Sequence, residues 1–482
     1  MNKLTIIVTY YNAEEYITGC LESIKQQRTQ DFNLIIVNDG STDQSKKLMD
    51  EAIKDYDKNI RFIDLDENSG HAHARNIALE EVETPYFMFL DADDELASYA
   101  ITFYLEKFNN TDGLIAPIHS FTTQRPQFVD LDRVRVEYFN AKGNINSFLR
   151  KQSACNIIFR TAIVRAHHIR FNENLNTYVD WSFVLEYMKY VNKFVRIFNF
   201  PFYFRGEVYD PFETLTLSEQ NFDILFKDYV NSFYDAIKRA TNPKVREFIV
   251  TKMGNKIANE FEPTRYDINE RYQTHKDTLV ELSKFLHVHL VKNQKLINKI
   301  ETILLMNNET DKAFKVNQFR KTLRHVKNIV LRRKNKERSL YDLTDKEDNV
   351  KPKTIVFESF GGKNYSDSPK YIYEYMQKYY PNYRYIWSFK NPDKNVVPGS
   401  AEKVKRNSAE YYQAYSEASH WVSNARTPLY LNKKENQTFI QTWHGTPLKR
   451  LANDMKVVRM PGTTTPKYKR NFNREKIGRA HV

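Results

Sequence analysis

The sequence predicts an α/β chain in three parts: a parallel, Rossmann-like sheet, a helical middle, and a second α/β region. Three observations carry this. Residues 1–95 alternate short apolar runs with amphipathic stretches four times, the rhythm of β-α-β units. Residues 220–345 are almost free of glycine and read as helices. From residue 354 the strand-like runs return, with helical periodicity between them. At 482 residues the chain is also too long for one ordinary domain.

The elements follow in order. LTIIVTYY is the first strand; Asn12 then caps a helix, with Glu15 completing a capping box and Ile17, Leu21 and Ile24 forming its apolar stripe. FNLIIV is the second strand, followed by a turn at Asp39-Gly40-Ser41 and a helix over about 43–56. IRFIDL is the third, a helix through Ala74, Ile77, Ala78 and Leu79 follows, and YFMFL is the fourth. Residues 96–215 mix short strands and loops around one clear helix, which opens near Asp180 and buries Trp181, Val184, Leu185 and Met188. The charged stretch DLTDKEDNVKPK (342–353) reads as a linker. Beyond it, KTIVFESF, a helix around 369–380, YRYIWSF, HWVSN and TFIQTW make the second α/β pattern.

Composition narrows the function classes. With 41% hydrophobic and 14% aromatic residues the chain can build real cores. It has no apolar run long enough for a transmembrane helix, and MNKLTIIVTYYN is too short a stretch for a signal peptide. Cys20 and Cys155 are the only cysteines, which fits a reduced, cytosolic protein without structural zinc. The net charge of +13 suits a polyanionic substrate, anionic lipid or nucleic acid, or else a lysine-rich solvated surface. No nucleic-acid-binding signature accompanies it, so nucleic acid is not an expected partner. Residues 320–338 combine nine Lys/Arg with Leu323, Val326, Ile329 and Val330 on one helical stripe. Such a helix lies on an anionic membrane or packs its apolar face on the protein.

The chemistry-bearing residues sit at strand ends. Asp39 in VNDGSTD and Asp91 and Asp93 in FLDADD each follow an apolar run. Carboxylates there point into the crevice where open parallel sheets bind nucleotides. The Asp-x-Asp spacing puts two side chains on one side, suited to Mg2+ or Mn2+ bound on a diphosphate. The plainer reading is turn and cap residues. Arg75, in the loop GHAHARN at a helix opening, could meet a diphosphate bidentately. His71 and His73, two residues apart on a helix start, share no face and make no metal pair. In TFIQTWHGTPLKRL a strand meets a tight turn at His444-Gly445, then a helix with Pro447 in its first turn. That geometry suits phosphate chemistry, or a purely structural histidine.

TIIVTYYNAEEYITGCLESI, VNDGSTD, ENSGHAHARNIAL and PYFMFLDADDEL, in this order and spacing, resemble the family 2 glycosyltransferases of the GT-A fold. The resemblance implies inverting, metal-dependent transfer of a sugar from a nucleotide-diphosphate donor. By that pattern Thr9, Tyr11 and Asp39 line the base and ribose, Arg75 lies near the nucleotide, Asp91 meets the ribose and Asp93 is the metal ligand. The family's general base is the aspartate of a Glu-Asp pair opening a helix. TYVDWSFVLEYM supplies Asp180, with Val179 where the glutamate would stand; a plain helix cap is compatible with that role. Arg205 and the TLTLS stretch resemble the family's closing motif.

FESFGGKNYSDSPKYIYEYM, NSAEYYQAYSEASHWVSNAR and QTWHGTPLKRL resemble the amino-terminal lobe of the CDP-glycerol glycerophosphotransferases that build teichoic acid. In that family the matching histidine, His444, activates the polymer hydroxyl for attack on CDP-glycerol. Those enzymes are two-lobed GT-B folds, so a donor-binding lobe is expected after this point and the chain is expected to be truncated. IGRAHV (477–482) reads as a non-native tail. The expected division is therefore 1–219 as the GT-A domain, 220–350 as a helical region with a basic amphipathic end, and 351–476 as a partial GT-B-like lobe. The expected partners are a nucleotide-diphosphate sugar, CDP-glycerol, a teichoic acid or lipid-linked acceptor, and an anionic membrane surface at the inner face of the cell membrane. A non-catalytic scaffold or a nucleic-acid-binding chain on a nucleotide-binding fold is the competing class.

Overall fold

The computed structural model describes residues 2–56, 59–108, 110–120, 130–140, 153–200, 202–206, 222–263, 267–293, 295–442 and 468–469. The chain divides into two compact units, Met1–Glu260 and Phe261–Val482.

The first unit is organised by one mixed sheet. Its strands are β1 (Leu4–Tyr10), β2 (Phe32–Asn38), β3 (Ile60–Asp64), β4 (Tyr86–Asp91), β6 (Gly113–Ile115), β8 (Val136–Asn140), β9 (Ile157–Arg160) and β10 (Lys193–Ile197). Among the described residues they lie in the order β3-β2-β1-β4-β9-β6-β10-β8. A small second sheet joins β5 (Glu95–Leu96), β11 (Tyr203–Arg205) and β7 (Ile118–Ser120). Strands β3, β2, β1 and β4 are parallel, as the β-α-β rhythm predicts. All seven residues of β1 are buried, which is why its sequence is apolar without alternation.

The order reverses at β1, whose neighbours β2 and β4 come from opposite directions of winding. A crevice opens at such a point beyond the strand ends. Register then fixes the site: Thr9 pairs with Asp91, Tyr10 with Asn38, and Asp39 follows directly. Behind it, Phe89, Phe159, Phe171 and Phe183 form one aromatic cluster, with Phe171 and Phe183 stacked at 4.0 Å.

Three sequence expectations change here. Asn12 does not cap the first helix, which runs Ile17–Lys25 after a turn. Its amide oxygen instead accepts from the Thr42 N–H at 2.8 Å and its own N–H donates to Ser41 Oγ, so it ties the first strand-end loop to the second. The helix Val179–Met188 is not buried along one face only; Phe183 and Tyr187 are buried as well as the predicted stripe. It begins one residue before Asp180, so Asp180 is in the first turn and is not the cap.

The second unit begins with helices Ile268–Thr274, Lys276–Asn293, Leu296–Met306, Thr310–Val330 and Lys336–Thr344. A five-stranded parallel sheet follows, in the order β14-β13-β12-β15-β16. Its strands are β12 (Lys351–Glu358), β13 (Arg384–Phe389), β14 (Glu402–Lys405), β15 (Ala418–Ser423) and β16 (Thr438–Gln441). The sequence reading misses β14, a short lysine-bearing edge strand with one buried residue.

Residues 342–353 are no linker. Asp345 forms a buried ion pair with Lys434 at 2.7 Å, and Tyr341 just before it packs in the core beside Tyr412. The basic segment 320–338 is not one helix either; it breaks after Val330 and resumes at Lys336. Leu323, Val326 and Val330 are exposed, the last by 71%, while His325 faces inward. No helix among the described residues is long and apolar enough to cross a membrane.

Candidate active site

The predicted aspartates of the first unit stand at the carboxyl ends of the strands flanking β1, Asp39 just after β2 and Asp91 and Asp93 at the end of β4. Asp39 is buried, and its two carboxylate oxygens accept from the N–H groups of Ser69 and Gly70 at 2.8 and 3.0 Å. This holds the loop before the helix His71–Glu80 against the end of β2. Gly40 makes the approach possible: it has φ +66°, and a Cβ there would lie 2.4 Å from the Glu67 carbonyl carbon. Thr9 is buried at the end of β1, and Tyr11 two residues on is 44% exposed.

Arg75 is the centre of the arrangement. It is fully buried, and its guanidinium donates to Asp180 Oδ1 through one terminal nitrogen and to Asp91 Oδ1 (2.8 Å) through the other. Its face lies over the rings of Phe89 and Phe171, at 4.8 and 5.2 Å from their centroids. The guanidinium is thus committed to two carboxylates, and this is where the structure sets the arginine expected beside a nucleotide. Asp180 Oδ2 accepts the Ala154 N–H at 2.9 Å. Asp91 and Asp180, 89 residues apart in sequence numbering, are held together by one buried cation.

Electrostatics separates the acids. Burial would raise Asp91, but Arg75 and His71 outweigh it and keep its carboxyl below the usual range. Asp93 is pushed up to about 6, by burial and then by the Asp91 charge. Asp94 goes further, to about 8, from burial and the charges of Asp91 and Asp93. His71 is driven down to about 4 by burial and by Arg75, so its imidazole is neutral near pH 7. Its Nδ1 lies 3.5 Å from Thr9 Oγ1. His73 turns elsewhere and pairs with Glu173 at 3.0 Å.

Carboxylate oxygens of Asp91, Asp93 and Asp94 lie within 4.8 Å of one another. An all-oxygen donor set with unbalanced negative charge fits a hard divalent cation better than a soft one. Burial, and after it the charges of neighbouring aspartates, raises Asp93 and Asp94.

Sequence reasoning missed three residues here. Asp94 stands in the same FLDADD run and was legible as a third acid. Cys155 lies 3.1 Å from Asp91 Oδ2 and 3.2 Å from an Arg75 nitrogen, and burial raises its thiol well above the ordinary value. Tyr203 donates to Asp94 Oδ2 at 2.5 Å. The last two come from distant segments without a motif, so no local signal could have found them. His444 and the TLTLS stretch lie outside the described residues.

In the second unit the strand ends carry a different group. Glu358 at the end of β12 is buried, accepts from Ser388 Oγ at 2.7 Å, and faces Arg406 at 3.5 Å. Burial raises its pKa although Arg406 and Ser388 oppose the shift.

Comparison with known proteins finds a family match in each unit. Residues 5–168 match the family model of glycosyl transferase family 2. Residues 340–478 match that of the CDP-glycerol:poly(glycerophosphate) glycerophosphotransferases. Both regions are therefore of the transferase type. The teichoic acid poly(glycerol phosphate) polymerase of Bacillus subtilis is 48% identical over 131 residues, 26% of this chain and 17% of that protein. The chain spans about a third or less of the curated relatives it matches first. A solved structure of the wall teichoic acid polymerase TagF is 99% identical over 34% of this chain and 40% of its own, with a TM-score of 0.33. The structure of Staphylococcus aureus TarS 1–349 with UDP covers 66% of this chain and 90% of its own. At 17% identity and a TM-score of 0.50 it establishes the fold.

Proposed function

We propose that residues 1–219 form an inverting, metal-dependent glycosyltransferase that moves a sugar from a nucleotide-diphosphate donor to a teichoic-acid-type polymer or a lipid-linked acceptor. Residues 351–476, with His444 as base, would contribute the amino-terminal lobe of a glycerophosphotransferase using CDP-glycerol. The helical stretch 220–350 would join them. The observation that carries the first claim is Asp180 beside the acid cluster, both held by Arg75.

In this reading Thr9, Tyr11 and Asp39 take the base and ribose, and Asp91 holds the ribose from the end of β4. Asp93 would hold Mg2+ or Mn2+, which when bound would neutralise charge on the donor diphosphate. Asp180 accepts the proton of the acceptor hydroxyl as its oxygen attacks the anomeric carbon. The bond from that carbon to the diphosphate oxygen breaks, and configuration inverts. Arg75 holds one oxygen of Asp180 and the buried Ala154 N–H holds the other, so the carboxylate is fixed in place. The wall around Phe89, Phe171 and Phe183 excludes water from behind the carboxylates.

A cytoplasmic place at the inner face of the membrane suits both acceptors. Exposed Leu323, Val326, Val330 and Leu331 alternate there with Arg324, Lys327, Arg332 and Arg333, which favours anionic lipid. The titratable test is a donor assay on the full chain with UDP-sugars and Mn2+. UDP release should depend on metal, fall about 10³-fold or more in Asp93→Ala, and fall about 10²- to 10⁴-fold in Asp180→Asn with donor binding kept. Release without metal, or full activity in Asp180→Asn, would overturn the proposal.

A further inference from the structure

Of the three clustered acids, Asp94 differs in its surroundings. It is 1% exposed, whereas Asp91 and Asp93 keep part of their surface open to the crevice. Both Asp94 oxygens already have protein donors: Oδ2 takes the Tyr203 hydroxyl at 2.5 Å and Oδ1 takes the Gly206 N–H at 2.8 Å. The Tyr203 oxygen in turn accepts the Asp91 N–H at 3.3 Å. One hydroxyl therefore joins the backbone of Asp91 to the side chain of Asp94. A cation shared with substrate phosphates needs ligand oxygens on the open side, which Asp94 does not present.

The other partner of this contact is as constrained. A Cβ at Gly206 would lie 1.8 Å from the Asp93 carbonyl oxygen, so only glycine lets this backbone lie on the acidic loop. Between the two anchored residues stands Arg205, exposed at the end of β11, with a charge that acts on Asp93.

We propose that Asp94 is a positioning residue, not a third metal ligand: with Tyr203 and Gly206 it latches the segment 203–206 onto the Asp91–Asp93 loop. The latch sets the spacing of the Asp91 and Asp93 carboxylates and places Arg205 beside them. This rests on the metal-dependent reading above. It deepens that reading by dividing the acid cluster into two groups that face the crevice and one that shapes it.

The test is Mn2+ affinity in the presence of UDP, followed by electron paramagnetic resonance on the full chain, with thermal unfolding as a check on folding. Asp94→Ala and Tyr203→Phe should each weaken Mn2+ binding by about fivefold to tenfold. Their double variant should be no weaker than either, because they break one connection. Asp94→Asn should stay within about threefold of wild type, since its amide oxygen still accepts the Gly206 N–H and its NH2 donates to the Tyr203 oxygen in reversed direction. A metal ligand would behave otherwise: Asp94→Asn would fall as far as Asp94→Ala, and Tyr203→Phe would add to it. Either result overturns the latch. If Asp94→Ala does not fold, Asp94→Asn and Tyr203→Phe decide the matter alone. Wild-type protein that binds no Mn2+ with UDP would overturn the metal reading itself, an outcome distinct from failure of the latch alone.

Discussion

The parallel strands of the two sheets carry acids at their ends in different surroundings. At the end of β4, one buried arginine pairs with Asp91 and with Asp180 from a remote helix, while Asp93 and Asp94 crowd the same loop, raised by burial and by neighbouring carboxylates. At the end of β12, Glu358 meets Ser388 and Arg406 and is internally satisfied. A strand-end position therefore does not make a site. What distinguishes the first sheet is a cluster of three acids on one loop, whose carboxylates lie within 4.8 Å of one another.

The largest test of this contrast is Arg75→Met. It leaves Asp91 and Asp180 facing each other without their cation, and removing one partner of a buried ionic group costs about 3–5 kcal/mol. Hydrogen exchange should report lost protection in β1 and β4 and unchanged protection in β12 and β13. Equal loss in both sheets, or none in β1 and β4, would break the comparison.

A smaller effect is expected from Glu358→Gln. The amide keeps an acceptor for Ser388 and removes a buried charge, so stability should change by no more than about 1 kcal/mol in denaturant unfolding. A large loss would mean that Glu358 has a role its contacts do not explain.

The smallest effect concerns pH. The folded-state value of Asp94 is raised to about 8, so its stabilising contribution is complete below the unfolded value and is lost as pH rises through 8. His71, lowered to about 4, acts in the opposite direction but only below its unfolded value near 6.5. The clean window is thus pH 6.5 to 8.5. Metal-free protein should show a melting temperature that falls by a few degrees across it, and Asp94→Asn should flatten the slope. An unchanged slope in that variant would assign the dependence to another group.

Much of the fold was legible because it rests on local periodicity. The four parallel strands, the helix carrying Arg75 and the helical middle all follow from spacing of apolar residues and turn chemistry. The misreadings share one cause. Asn12 and Asp345 look like cap and linker residues locally, but their partners are Ser41 and Thr42, and Lys434, which no local pattern reveals. The same holds for the site: the motifs mark Asp39, Asp91 and Asp93, and say nothing of Cys155 or Tyr203.

The sequence alone marks which carboxylates stand at strand ends, since a strand's length and apolar run set where it stops. It also determined that two transferase-like regions share one chain. What those acids do to one another depends on packing between remote segments. Arg75 meets Asp180 because the helix Val179–Met188 packs against the same aromatic cluster as β4, and Tyr203 reaches Asp94 because β11 closes a separate small sheet. Charge balance depends on distances between remote segments, and packing sets those distances.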